Sequence, residues 1–115
     1  MSTPQEEFQK FLDQQRVDYR RSLPEKAAQI QVLWAAAEAG GAGAPPLADL
    51  ERLAHSLAGT AGTLGFRELG QAAKLLEIVL AGAAEANGPV ASLTPAQRPD
   101  IARAVAALQA SFPVD

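Results

Sequence analysis

The chain has no cysteine and one histidine among 115 residues. Without cysteine there is no disulfide framework and no thiol nucleophile, which fits the cytoplasm, the compartment expected here. A single histidine and scattered carboxylates leave no set of metal ligands, so neither a metal nor a cofactor is expected. Aromatic residues are scarce, with one Trp, one Tyr and four Phe. Alanine and leucine are plentiful, and that balance favours helices over sheets. No block of basic residues occurs and the net charge is −3. Nucleic acid and anionic membrane are therefore not expected as partners. No apolar run approaches the roughly 18 residues that span a bilayer, and Met1 is followed by polar, acidic sequence rather than a signal peptide. No segment alternates polar and apolar residues over a sustained stretch, so no strand is expected.

What remains is helical. Thr3-Pro4 reads as a cap followed by proline at the first helical position. A first helix over residues 4–20 has Phe8, Phe11, Leu12 and Tyr19 on one face. Pro24 disfavours helical geometry at the residue before it, so a break or kink is expected there. A second helix then runs to about Ala39 along Leu23, Ala27, Ile30, Trp34 and Ala37; one kinked helix over 4–39 is the alternative. Gly40 to Pro46 is a loop. A helix from about Leu47 to Leu64 follows, and Gly65 suits the left-handed residue that ends a helix. Phe66 to Asn87 makes the next, on the line Leu69, Ala73, Leu76, Leu80 and Ala83. Leu75, Ile78 and Val79 widen its apolar arc; burial between two neighbouring helices is the expected reason, with a docking surface as the alternative. Asn87-Gly88-Pro89 stops it. Thr94, Pro95 and Gln97 form a start signal with a capping box, and Ile101, Val105, Leu108 and Phe112 line the last helix. One apolar stripe per helix and short connections predict an all-α antiparallel four-helix bundle with an additional N-terminal helix, one domain over residues 1–115. The start and end signals fit an independent protein.

The stretch Leu50 to Gly65 carries the chemistry. At about 100° per residue, Leu50, Ala54, Leu57, Ala61 and Leu64 fall on one side and His55 points roughly 140° away, toward water. Around it on the outer face lie Ala48, Arg52, Ala58, Gly59, Gly62 and, at the end, Phe66. Two mid-helix glycines each cost about 1 kcal/mol relative to alanine. Lacking a Cβ, they allow another surface to come close. A reachable imidazole with a flat approach suggests chemistry done on His55 by a docked partner. No triad is available: Asp49 is six residues away and nearly opposite, and Ser56 points to another side. Gly40 to Gly43 lacks the Lys-Ser/Thr ending of a phosphate loop.

The run Leu53-Ala-His-Ser-Leu-Ala-Gly-Thr-Ala-Gly-Thr-Leu-Gly65, with Leu69, Leu76-Glu77 and the earlier Leu23-Pro24, resembles the histidine-containing phosphotransfer domains of phosphorelays. His55, Gly59, Leu64 and Gly65 match that family's pattern in place; Ala58 stands where the family has lysine. The resemblance implies an HPt-like bundle in which His55 takes a phosphoryl group from a receiver-domain aspartate and relays it to another receiver. The partners it implies are response-regulator receiver domains, with a hybrid histidine kinase as a further candidate. The receiver and its magnesium would supply most of the electrostatic stabilisation. The domain itself would be a stoichiometric carrier without a nucleotide site, not an enzyme. Arg52, three residues before His55 on the same face, either supplies the cation that Ala58 cannot or merely solubilises the helix. If no cation replaces the lysine, the domain is a phosphate-incompetent module that regulates a receiver or kinase by docking. A plain assembly bundle is the remaining alternative.

Overall fold

The computed structural model describes residues 3–39, 44–87 and 98–113. Helix α1 spans Pro4–Glu38. Thr3 caps it as expected, its hydroxyl oxygen accepting from the Glu6 N–H at 3.1 Å with Pro4 at the first helical position. Of the two expectations at Pro24, the alternative of one continuous helix holds: residues 4–20 are the first half of α1 rather than an additional helix. An interior proline costs about 3 kcal/mol through a missing donor and a clash one turn back. Against that, Leu23, Ile30 and Ala37 recur every seventh residue and are all buried. Burying each large side chain contributes about 1.5–3 kcal/mol, and a break at Pro24 would take this stripe off the core. The Ser22 hydroxyl also donates to the Tyr19 carbonyl at 2.6 Å, on the turn before the proline.

Helix α2 spans Ala44–Thr63, α3 Arg67–Asn87 and α4 Arg98–Ala110. Among the described residues there is no strand. Ala44, Pro45 and Pro46, expected in the loop, form the first turn of α2, where a missing N–H leaves no helical carbonyl unpaired. Gly40 to Gly43, Gly88-Pro89 and the capping signal at Ser92 to Gln97 lie outside the described residues.

The turn between α2 and α3 follows from its sequence. Gly65 has φ +93, a backbone conformation open to glycine. The Phe66 N–H then reaches back to the Ala61 carbonyl at 2.8 Å and the Gly65 N–H to that of Gly62 at 3.3 Å, the paired bonds of a Schellman stop. Arg16 of α1 donates to the Leu64 carbonyl at 2.7 Å, fastening the turn to the first helix.

Helix α1 packs on α2 and α4, and α3 packs on the same two; among the described residues the backbones of the diagonal pairs do not approach each other. Neighbours run antiparallel: Arg98 at the start of α4 donates to the Glu38 carbonyl at the end of α1, while Phe112 lies beside Leu23 and Pro24. The core is Leu23, Ile30 and Ala37 of α1, Leu47, Leu50, Ala54, Leu57 and Ala61 of α2, Leu69, Ala73, Leu76 and Leu80 of α3, and Ile101, Ala104, Val105 and Leu108 of α4. These are the expected stripes with Leu47 and Ala104 added, except that Ala27, Trp34, Leu64 and Phe112 are half-buried and the Ala83 side chain lies outside the description.

At 35 residues, α1 is about 52 Å long, and the molecule measures 60 × 27 × 20 Å. Its first three turns run past the α2–α3 turn, so Phe8 and Phe11 are exposed rather than packed. Leu75 and Ile78 also depart from expectation. They are 50% and 56% exposed, because α2 and α4 cover only two sides of α3 and these residues occupy a third.

Candidate functional site

The five buried residues of α2 face the core and force the opposite side of that helix into solvent. His55 lies on that side with 76% of its side chain exposed. Its Nδ1 meets Glu77 Oε2 of α3. The Glu77 side chain is only 16% exposed, and its second oxygen accepts from Lys74 Nζ at 3.2 Å. The carboxylate is therefore held between two donors from opposite sides, one oxygen for each.

This contact fixes the imidazole. The His55 ring, and after it Lys74, hold the Glu77 carboxyl below its ordinary value of 4.5, against an opposing contribution from burial. Near pH 7 Glu77 is therefore ionised and can only accept. An ionised carboxylate brings no proton, so the contact assigns the proton to Nδ1, and in the neutral ring that leaves the lone pair on Nε2. A solvated imidazole exchanges tautomers freely; this one is oriented and presents Nε2.

Glu77 was quoted in the resemblance, but no role for it follows from its own sequence environment. Its position opposite His55 comes from the hairpin: pairs equidistant from Phe66 face each other, as Gly62 and Gly70 do two turns closer to the bend. A Cβ on Gly70 would lie 3.0 Å from Gly62 N and 3.2 Å from its Cα, so the two backbones are in close contact there. The turn signal at Gly65 would have sufficed to set this register.

The other expected site residues divide. Ala48, Arg52, Gly59 and Gly62 are exposed with His55, whereas Ala58 and Phe66 are half-buried. Phe66 packs its ring against Tyr19 at 5.8 Å between centroids. An added Cβ at Gly59 or Gly62 would meet nothing within 4 Å, so no internal contact accounts for a missing side chain at either position. Arg52 donates to Asp49 Oδ1 at 3.0 Å and lines a groove between α1 and α2 with Gln29, Val32, Leu33 and Leu53. The structure joins His55 to Glu77 and Lys74 on the α3 side, and joins Arg52 to Asp49 on the α1 side.

Among the described residues no three metal-ligating side chains gather, and no helix is long and apolar enough to cross a membrane. The family model of the Hpt domain matches residues 14–111. The chain belongs to the Hpt domain family, whose members carry phosphoryl groups on histidine in two-component phosphorelays. No curated protein and no solved structure matches the chain.

Proposed function

We propose that this chain, a single domain over residues 1–115, is a phosphorelay carrier that accepts a phosphoryl group at Nε2 of His55 from a receiver-domain aspartate and passes it to another receiver. The observation that carries this reading is the exposed ring with Nδ1 bound to Glu77. As Nε2 attacks the acyl phosphate, an N–P bond forms, the aspartyl O–P bond breaks, and the receiver regains its carboxylate. The proton on Nδ1 stays between the ring and Glu77. The ring gains positive charge as the bond forms, and the ionised Glu77 beside it stabilises that charge. The domain needs no nucleotide site for this step; its contribution is exposure, ring orientation and a surface for docking.

That surface is the outer face of α2 around His55: Ala48, Arg52, Ala58, Gly59, Gly62 and Phe66. Bare helix backbone at Gly59 and Gly62 lets the receiver bring its aspartyl phosphate to the ring. Receiver domains are the partners this reading requires, a hybrid kinase bearing one is a further candidate, and the cytoplasm is the compartment it implies.

The test is to incubate the protein with a phosphorylated receiver and follow the label. Acid-labile, base-stable label that is lost in His55→Gln supports the carrier reading. Ala58 favours a second reading, the phosphate-incompetent module that acts by docking. Receiver binding without any label on the domain would select that alternative.

A further inference from the structure

We propose that Lys74 of α3 is the cation that holds the phosphoryl group on His55, doing from the neighbouring helix what the family's lysine does from the position of Ala58. The inference rests on the carrier reading and adds a residue to its site.

Three observations carry it. First, His55, Ala58 and Gly62 succeed each other at spacings of three and four, so they form one row on α2. Glu77, Lys74 and Gly70 form the facing row on α3. The methyl of Ala58 leaves a hollow between the rows, lined by Ala58, Gly62, Arg67, Gly70, Gln71 and Lys74. A lysine at 58 would enter the space that Lys74 borders from across the helix pair. Second, one carboxylate separates the Lys74 ammonium from the imidazole: Nζ lies 3.2 Å from Glu77 Oε1, and Oε2 of the same group binds His55. Third, the other basic side chains are placed less well. Arg52 is paired with Asp49 on the α1 side. Arg67 lines the far end of the hollow, seven residues and about 10 Å along α3 from Lys74.

Charge balance gives the arrangement its purpose. Before transfer the neutral ring, the Glu77 carboxylate and the Lys74 ammonium sum to zero. A phosphoryl group brings up to two negative charges beside a carboxylate that already carries one. Without a cation the carboxylate that orients the ring would repel the incoming group. With Lys74 on its other oxygen, Glu77 is offset at rest, and the long lysine stem can carry the ammonium toward the phosphoryl oxygens as they arrive. Lys74 acts through its charge and exchanges no proton with the reacting groups.

The test compares wild type, Lys74→Ala, Lys74→Arg, Arg52→Ala and the double substitution Lys74→Ala with Ala58→Lys. Phosphotransfer from a phosphorylated receiver is timed, and receiver binding is measured separately. Lys74→Ala should slow transfer about tenfold or more with little change in binding, and more than Arg52→Ala does. Lys74→Arg should stay within about threefold of wild type. Returning a lysine at position 58 should recover most of the rate, which a merely structural role for Lys74 would not allow. Transfer at the wild-type rate in Lys74→Ala, or a loss that Ala58→Lys leaves unrestored, overturns the proposal. Failure of wild type itself to take label on His55 sinks the carrier reading instead.

Discussion

Alanine at Gly59 and alanine at Gly70 should shift stability in opposite directions, although both are glycine-to-alanine changes inside helices. Helix propensity favours alanine at each by about 1 kcal/mol. At Gly59 nothing lies within 4 Å of the added Cβ, so the gain is kept and the variant should be more stable by about 0.5–1 kcal/mol. At Gly70 the Cβ arrives 3.0 Å from Gly62 N and 3.2 Å from Gly62 Cα. These are main-chain atoms of a helix anchored by Leu57 and Ala61, both fully buried, and they cannot swing aside as a side chain would. Overpacking of this kind costs about 1–3 kcal/mol, which leaves Gly70→Ala roughly 0–2 kcal/mol less stable than wild type once propensity is credited. In a domain of 115 residues 1 kcal/mol moves Tm by about 4 °C, so thermal unfolding followed by circular dichroism resolves the pair. Phosphotransfer supplies the second readout. Gly59→Ala should transfer about two- to tenfold more slowly despite its stability, equivalent to roughly 0.4–1.4 kcal/mol of hindered docking. A Gly70→Ala variant as stable as Gly59→Ala would refute the close helix contact. Undiminished transfer in Gly59→Ala would refute the steric reason for the exposed glycine.

Two further predictions concern Glu77 and Tyr19. Glu77→Gln keeps an acceptor for Nδ1 but removes the charge, and Glu77→Ala removes both, so transfer rates should fall in the order wild type, Gln, Ala, with Ala down about tenfold or more. Because the folded Glu77 is held below its ordinary 4.5, its contribution to stability should be full above that value and be lost as pH falls through the lowered one. Denaturant unfolding of wild type and Glu77→Gln should therefore differ at pH 7 and converge in acid; a gap that widens in acid would contradict this. Among the described residues the buried Tyr19 hydroxyl has no hydrogen-bond partner, and burial raises its pKa. Tyr19→Phe should thus be neutral or stabilising by about 1 kcal/mol, while a loss above about 1 kcal/mol would reveal a partner for that hydroxyl.

The legible parts of the sequence were those governed by helical period. The core stripes of α2, α3 and α4 follow from apolar spacing alone, and the bend from Gly65. Two readings failed where tertiary packing overrode a local rule. Pro24 signals a break, yet the buried stripe from Leu23 to Ala37 keeps α1 whole. Leu75 and Ile78 suggest burial, but four helices in a square leave one side of α3 bare. The site was half legible. His55 and its small neighbours stand out because glycine in an exposed helix has a cost that folding does not explain. Its partners on α3 do not, because Glu77 and Lys74 lie about 20 residues away and look like ordinary surface charges until the hairpin register is known. Arg52 drew attention by its proximity in sequence, but Asp49, one turn earlier, holds it.

The most direct measurement uses the fact that the chain has one histidine. Nitrogen-15 labelling of histidine in untagged protein gives a spectrum of a single ring, recorded before and after addition of a phosphorylated receiver. The structure predicts a proton on Nδ1 in the resting protein and, after transfer, a nitrogen–phosphorus coupling on Nε2. A resting proton on Nε2, phosphorus attached at Nδ1, or no coupling in a mixture where the receiver binds would each contradict the account.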